Sequence, residues 1–219
     1  MSAWQGKFVI GLTGNIGTGK SVVRKMLERL GAAGIDADDL AKNAILKGTA
    51  GYAMVLQEFG IGIVGTDEEI DRSRLGNIVF LDRNALAKLE TIIHPIVREE
   101  ISQRIGSSRS DVIVIEAIKL IESGLFTACD EIWVTYTPKK LQLARLKQKR
   151  GMNAADVLHR IQSQSPQATK MRQADRVIRN DGSLDKTWQQ VTAAWLELFP
   201  QSQRSVPTMP DKNTFYDMD

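Results

Sequence analysis

A glycine-rich segment near the amino terminus has the residue types and spacing of a phosphate-binding loop. It reads Gly14-Asn15-Ile16-Gly17-Thr18-Gly19-Lys20-Ser21, a full match to G-x-x-x-x-G-K-[ST]. Glycines let successive backbone N–H groups point at one phosphate, and the N-terminus of a following helix adds partial positive charge. We therefore predict that residues 14–21 bind nucleotide phosphates. Lys20 would reach the β- and γ-phosphates, and the Ser21 hydroxyl would ligate Mg²⁺.

Two aspartates, Asp36 and Asp38, follow a short apolar run at residues 34–36. A carboxylate beside the phosphates can orient an acceptor hydroxyl, take its proton, and hold Mg²⁺ through water. The same pattern is typical of a helix start: Asp38 or Asp39 could cap a helix beginning at Leu40, and we expect Asp39 to do so. Both interpretations stay open for Asp36 and Asp38 at this point.

The elements that would position these residues alternate along the chain. Apolar runs of strand type are followed by segments with apolar residues at helical spacing. The predicted strands cover residues 8–13, 34–36, 111–116, 131–136 and 174–178. The predicted helical segments cover 21–30, 39–60 with breaks near Gly48 and Gly60, most of 72–105, 139–172 and 183–198. Strands alternating with helices indicate an α/β fold with a parallel sheet, whose carboxyl strand ends meet beside the loop.

The composition is that of a globular chain. The 219 residues carry 29 Lys+Arg against 26 Asp+Glu, and 42% are hydrophobic, which excludes collagenous, low-complexity and fully disordered classes. The lone cysteine, Cys129, excludes an internal disulfide or a Cys/His zinc cluster, and we expect it to be unreactive. With no signal peptide or membrane-spanning run, we expect a soluble, cytoplasmic protein. Residues 201–219 are predicted to form a flexible tail.

Other nucleotide-binding classes fit the sequence less well. A dinucleotide-binding fold would need glycine at position 22, where Val22 stands. The D-x-x-G and N-K-x-D motifs of regulatory GTPases do not occur in the sequence. The phosphate-binding loop therefore favours a kinase or an ATPase over a molecular switch.

Taken in order, the motifs resemble those of the dephospho-CoA kinase family over about residues 8–197. The loop is shared by many families, whereas the His-Pro and the late Ala-Asp-x-Val-Ile-x-Asn are far more specific. The matching segments are Leu12–Ser21, Asp36-Ala37-Asp38, Leu89-Glu90 with His94-Pro95, Glu122-Ser123-Gly124, Gln142 with Arg145, and Ala174–Asn180. The chain departs from the family pattern at Lys119, where leucine is common, and at Gly76, where arginine is common.

The resemblance implies a three-layer P-loop kinase fold with a five-stranded parallel sheet, a helical lid and a helical substrate-binding region. It implies a single domain over residues 1–200, with ATP and Mg²⁺ as cofactors. Within that domain the core would be residues 7–38, 111–138 and 174–198, the CoA-binding region about 40–110, and the lid about 139–172.

The resemblance also implies roles for individual residues in transferring the ATP γ-phosphoryl to the 3′-hydroxyl of dephospho-CoA. Asp38 matches the catalytic carboxylate, and Lys20 and Arg145 would complete the catalytic set. Arg150 would help to hold the phosphates, and Asn180 lies where the family contacts adenine. The substrate would be bound by Asp36, Asp38 and His94, and we expect Lys119, where the chain departs from the family pattern, to lie near it. Alternatively, His94-Pro95 is a packed helix junction with Pro95 at the start of a helix.

The partner implied is a small molecule, dephospho-CoA, with no nucleic acid, no membrane, and a monomer or weak homo-oligomer as the assembly. Between Lys139 and Arg172 the sequence has nine Lys and Arg against one acidic residue, a net charge of +8 that leaves −5 for the rest of the chain. A basic lid suits small anionic substrates and weakens the case for a nucleic-acid groove. The alternatives are another small-metabolite kinase, of the shikimate or nucleotide kinase type, and a non-catalytic nucleotide-binding regulator.

Overall fold

Five strands form one sheet in the computed structural model, which describes residues 4–150 and 161–215. The strands are β1 (Phe8–Thr13), β2 (Ala33–Asp36), β3 (Val112–Glu116), β4 (Glu131–Tyr136) and β5 (Arg176–Arg179). Their order is β2-β3-β1-β4-β5, and the β1–β3, β1–β4 and β4–β5 ladders are parallel. This confirms the predicted α/β fold with a five-stranded sheet.

The central strands form because their apolar residues are covered on both faces of the sheet. Val9, Ile10 and Leu12 of β1 are completely buried, as are Ile113 and Val114 of β3. Near-continuous apolar runs of this kind are typical of parallel strands between helical layers. Because β1 lies between β3 and β4, the loop that follows it emerges at the centre of the sheet edge.

Helices connect the strands, as the periodicity predicts. They are α1 (Lys20–Arg29), α2 (Ala37–Asn43), α3 (Ala50–Phe59), α4 (Arg72–Leu81), α5 (Arg83–Ser107), α6 (Lys139–Arg150), α7 (Gln167–Arg172) and α8 (Leu184–Leu198). The predicted helical lid therefore begins with α6 and ends with α7. Its residues 151–160 lie outside the described part of the chain.

The chain divides into two compact units. One consists of residues Met1–Ile35 and Ser108–Asp219, and the other of Asp36–Ser107. The second unit is helical, with α2 and α4 both contacting the long helix α5. The helical region predicted for about residues 40–110 overlaps most of this second unit, which ends at Ser107. A single domain over residues 1–200 stays a prediction.

Helix α5 runs through the His94-Pro95 pair. Pro95 lies inside this 25-residue helix, so the interpretation that it starts a helix is wrong. Proline removes one N–H donor from a helix interior and often kinks or breaks the helix there. Here the helical hydrogen-bonding pattern continues on both sides, and Val97 and Ile101 are buried in the next two turns.

The segment after residue 200 packs against helices α1 and α8 as far as Phe215. The Phe215 ring is 3% exposed and belongs to the same apolar cluster as Met26 of α1 and Trp195 of α8. The Lys25 ammonium donates a hydrogen bond to the Phe215 carbonyl at 3.3 Å. The prediction of a flexible tail from residue 201 did not anticipate this contact.

No helix in residues 4–150 and 161–215 combines the length and apolar character that crossing a membrane requires.

Candidate nucleotide-binding and phosphoryl-transfer site

Three glycines give the loop between β1 and α1 its shape. Gly14, Gly17 and Gly19 have φ angles of 150°, 79° and 89°, in a region that side chains disfavour. A side chain at Gly14 would also overlap the Thr135 hydroxyl, and one at Gly19 would overlap the Asn180 carboxamide. The glycines are therefore required both for conformation and for close approach.

Two buried threonines hold the loop carbonyls from inside the sheet edge. The Thr18 hydroxyl lies 2.7 Å from the Asn15 carbonyl oxygen and 2.7 Å from the Thr135 hydroxyl. The Thr135 hydroxyl also donates to the Thr13 carbonyl at 3.3 Å. Because carbonyl and N–H groups point in opposite directions across a trans peptide, fixing the carbonyls fixes where the loop N–H groups point.

Lys20 and Ser21 open helix α1 directly after the last loop glycine. Lys20 is only 8% exposed, and it follows Gly19, the N-cap of the helix. The first N–H groups of a helix have no partner within it and attract anions. The Ser21 hydroxyl donates to Glu116 Oε1 at 3.1 Å, which ties the helix start to the carboxyl end of β3.

Glu116 is the functional candidate that the motifs did not identify. Its carboxylate is buried and accepts a second hydrogen bond from Arg24 Nε at 2.8 Å. Burial alone would lower the pKa of Arg24, but hydrogen bonds and charge from Glu116 and Glu28 outweigh it and raise that pKa. A signal was present, since an acidic residue ending an otherwise apolar strand faces the loop edge.

Arg145 of α6 lies against the loop. Its Nη2 donates to the Asn180 carbonyl at 2.8 Å, and its Nη1 lies 3.2 Å from the Thr137 hydroxyl and 3.5 Å from the Gly17 carbonyl oxygen. The predicted lid arginine and the predicted adenine contact are thus neighbours. Arg150 ends α6, and its side chain lies outside the described part of the chain.

Residues of the predicted lid also hold the loop. Ile16 packs with Leu146 and Ile161 in a small apolar cluster. Gln164 Oε1 accepts a hydrogen bond from the Ile16 amide at 2.8 Å, and Asn15 Nδ2 donates to the Ser165 carbonyl at 3.2 Å. A movement of these lid residues would therefore change their contacts with the loop.

A buried lysine contacts Glu122, the first residue of the Glu122-Ser123-Gly124 motif. Lys170 of α7 is 2% exposed, donates to the Ile118 carbonyl, and lies 3.0 Å from Glu122 Oε1. Partial burial alone would raise the pKa of Glu122, but hydrogen bonds from Ser165 and Lys170 outweigh it and lower that pKa. The pair anchors α7 to the segment after β3.

Asp36, at the end of β2, caps helix α2, and Asp38 lies in the first turn of that helix. Helix α2 begins at Ala37, and Asp36 is its N-cap, with Oδ1 accepting from the Asp39 amide at 3.0 Å. The prediction that Asp38 or Asp39 caps a helix from Leu40 is therefore wrong. The helix starts three residues earlier because Asp36 already supplies the cap, which leaves Asp38 half-buried in the first turn.

The predicted site residues fall in two groups. The loop, Lys20, Ser21, Arg145 and Asn180 belong to the first unit, together with Lys119, which is exposed after β3. Asp36, Asp38 and His94 belong to the second unit, and His94 is half-buried in α5. The roles assigned to these residues by resemblance stay predictions.

The Cys129 thiol is expected to be unreactive in the folded protein. Burial, and then the charge of Asp130, raises its pKa to about 12, so little thiolate exists at neutral pH. We expect alkylation by iodoacetamide at pH 8 to be about a thousandfold slower than that of a free cysteine, on thiolate fraction alone. The same chain in urea should react at the ordinary rate, and fast labelling of the folded chain would contradict the prediction.

Comparisons with known proteins agree on one family. The family model for dephospho-CoA kinase matches residues 8–186. A dephospho-CoA kinase from Symbiobacterium thermophilum is 42% identical over 190 residues, which cover 85% of this chain and 80% of that protein. The solved dephospho-CoA kinase from Campylobacter jejuni is 27% identical with a TM-score of 0.62, covering 89% of this chain and 98% of that one.

The fold by itself is shared more widely. A shikimate kinase from Acinetobacter baumannii, solved with shikimate, has a TM-score of 0.53 at 15% identity, covering 90% of this chain and 96% of that one. That likeness supports the fold alone, whereas the family match spans most of the sequence. The chain belongs to the dephospho-CoA kinase family.

Proposed function

We propose that this chain transfers the γ-phosphoryl group of ATP to the 3′-hydroxyl of dephospho-CoA. The identity of the acceptor is supported by family membership, which distinguishes this chain from shikimate and nucleotide kinases of similar fold. The transfer chemistry is supported by a glycine loop that leads into Lys20 and faces Glu116 through Ser21. Together these features favour an enzyme over a regulator that only binds nucleotide.

The loop and its neighbours would bind the phosphates of ATP. Phosphoryl transfer passes through a loose transition state, so the protein mainly positions groups and offsets negative charge. The N–H groups around Gly17 and Gly19, the Lys20 ammonium and the Arg145 guanidinium supply that charge complement. We infer that Arg150 and the other basic residues of α6 add to it as the lid excludes water.

Ser21 and Glu116 fit a Mg²⁺ site. A hydroxyl and a carboxylate 3.1 Å apart are hard oxygen donors of the kind that Mg²⁺ prefers. Groups of three or more His, Cys, Asp or Glu side chains suited to a metal are absent from the described residues. That suits an ion held by one or two protein groups, water and the phosphates. When bound, Mg²⁺ would offset charge on the β- and γ-phosphates.

The residues predicted to bind the acceptor are Asp36, Asp38, His94 and Lys119. We infer that Asp38 accepts the proton of the 3′-hydroxyl and orients its oxygen for attack. Asp36 would support this role indirectly, because its carboxylate caps the helix that carries Asp38. His94 would position the substrate, as the resemblance implies, and Lys119 is a further candidate at a position where the chain departs from the family pattern. A monomer or weak homo-oligomer stays the predicted assembly.

The acceptor is tested by incubating the chain with ATP and a panel of acceptors. The panel contains dephospho-CoA, shikimate and nucleoside monophosphates, and products are read by mass. We expect a gain of one phosphoryl group on dephospho-CoA and ATP consumption that depends on it. ATP consumption without any acceptor would favour an ATPase, and nucleotide binding without turnover would favour the regulator.

Replacing Glu116 by glutamine tests the Mg²⁺ site. The change keeps the size of the side chain but removes its charge, so we expect the affinity for Mg²⁺ to fall by about 10–100-fold. The measurement is the rate against free Mg²⁺ at saturating ATP. Glu28→Gln is the matched control, because it removes the other carboxylate that pairs with Arg24. An unchanged Mg²⁺ dependence in Glu116→Gln would exclude this role.

A further inference from the structure

Asn180 follows β5 and is committed to hydrogen bonds at both ends of its side chain. It is 3% exposed. Its Nδ2 donates to the Thr18 carbonyl at 3.0 Å, and its Oδ1 accepts from the Thr187 hydroxyl at 3.1 Å. The carboxamide therefore joins the phosphate loop to helix α8 through two neutral hydrogen bonds.

The backbone of Asn180 is fixed as firmly as its side chain. Its amide donates to the Tyr136 carbonyl at 2.8 Å, and its carbonyl accepts from the Thr137 hydroxyl at 2.9 Å and from Arg145 Nη2 at 2.8 Å. The Thr137 hydroxyl oxygen also lies 3.2 Å from the Thr18 carbonyl oxygen. The residue is thus held by the sheet edge and by the first helix of the lid.

The carbonyl that Asn180 holds belongs to the peptide between Thr18 and Gly19. That peptide is planar, so holding its oxygen on the Asn180 side turns the Gly19 N–H to the opposite side. Gly19 permits the approach because any side chain there would overlap Asn180 Nδ2. The Gly19 N–H directly precedes Lys20, where the loop meets the positive end of α1.

We propose that Asn180 is a positioning residue of the phosphate loop, which orients the Gly19 N–H towards the nucleotide phosphates through the Thr18 carbonyl. This differs from the adenine contact that the family resemblance implies. The carboxamide is 3% exposed and lies between Thr18 and Thr187, so contact with a base would require the side chain to leave this buried position and lose both hydrogen bonds. The inference rests on the nucleotide binding in the proposed function, and not on the identity of the acceptor.

The test compares ligands with and without adenine on Asn180→Ala. Dissociation constants for ATP, CTP and inorganic tripolyphosphate, each with Mg²⁺, are measured by calorimetry on the full chain. We expect about tenfold weaker binding of all three, by the same factor, because the loop loses one buried hydrogen bond. The preference for ATP over CTP should stay at its wild-type value.

Two outcomes would overturn the proposal. A loss confined to ATP, with the preference over CTP abolished, would make Asn180 an adenine contact. Unchanged binding of ATP and CTP would show that the loop does not depend on it. Because none of these binding measurements involves dephospho-CoA, a wrong assignment of the acceptor would not change their results.

Helix α8 supplies a milder pair of variants in case Asn180→Ala unfolds. Thr187→Val removes the hydroxyl that holds Asn180 Oδ1, and we expect about threefold weaker binding of ATP and CTP alike. Thr187→Ser keeps the hydroxyl and should restore the wild-type constants. Equal constants for Thr187→Val and Thr187→Ser would count against the proposal. Asp181→Asn, a change at the next residue, is the control and should bind like wild type.

Discussion

Replacing Asp38 by asparagine is expected to lower kcat by about 10²–10⁴-fold, the usual contribution of a general base. The substitution keeps the size of the side chain but removes its charge and its capacity to take a proton. Asp38 lies in the first turn of α2, and the cap of that helix comes from Asp36, so the helix start should survive the change. The dissociation constant for ATP should change little, because the loop that binds it is intact.

The control for this result is Asp39→Asn. Asp39 is the neighbouring carboxylate, is exposed, and pairs with Lys42 one turn along the helix. Exposed pairs of this kind contribute little to stability, so we expect wild-type kcat and a wild-type unfolding temperature. A folded Asp38→Asn enzyme with near-normal kcat would remove Asp38 from the chemical step.

Replacing Lys20 by alanine is expected to lower kcat by about 10²–10³-fold, the range found when one preorganised charge-stabilising group is removed. The Lys20 side chain is 8% exposed, and electrostatic interactions are stronger in such surroundings than in water. Steady-state kinetics with ATP and dephospho-CoA separate kcat from KM. A fall in kcat and in kcat/KM by the same factor would indicate stabilisation in the transition state alone.

Arg29→Ala is the matched control on the same helix. Arg29 is an exposed cation in the last turn of α1, so its loss changes the net charge equally without touching the loop. We expect kinetics close to wild type. If Lys20→Ala turned over like Arg29→Ala, the assignment of residues 14–21 as the catalytic phosphate loop would have to be abandoned.

The loop and the fold could be predicted because both are recorded locally. The spacing of Gly14, Gly19 and Lys20 is a single continuous motif, and it stands between an apolar run and an amphipathic helix. Likewise, the alternation of strand and helix patterns predicts the parallel sheet without knowledge of any distant contact. The start of helix α2 was predicted three residues too far along the chain, because Asp38 and Asp39 can also act as caps. Only the structure shows that Asp36 is the N-cap.

The supporting contacts of the site could not be predicted, because they join residues far apart in the chain. Ser21 and Glu116 are 95 positions apart, and Thr18 and Asn180 are 162 positions apart. Periodicity carries no information on such pairs. Sheet order brings them together, since β1 lies between β3 and β4, and β5 follows β4. Even with the correct elements, the partner of each side chain depends on that order.

The contact between Lys25 and Phe215 has a consequence for how this enzyme is made. The two residues are 190 positions apart, yet Phe215 belongs to the apolar cluster that covers α1. During synthesis the phosphate loop leaves the ribosome early, while the ring that covers its helix arrives only with the final part of the described chain. Contacts of such long sequence separation form slowly. Nascent chains that stop before Phe215 should therefore leave the part of α1 that Phe215 covers open to chaperones, although their nucleotide loop is already complete.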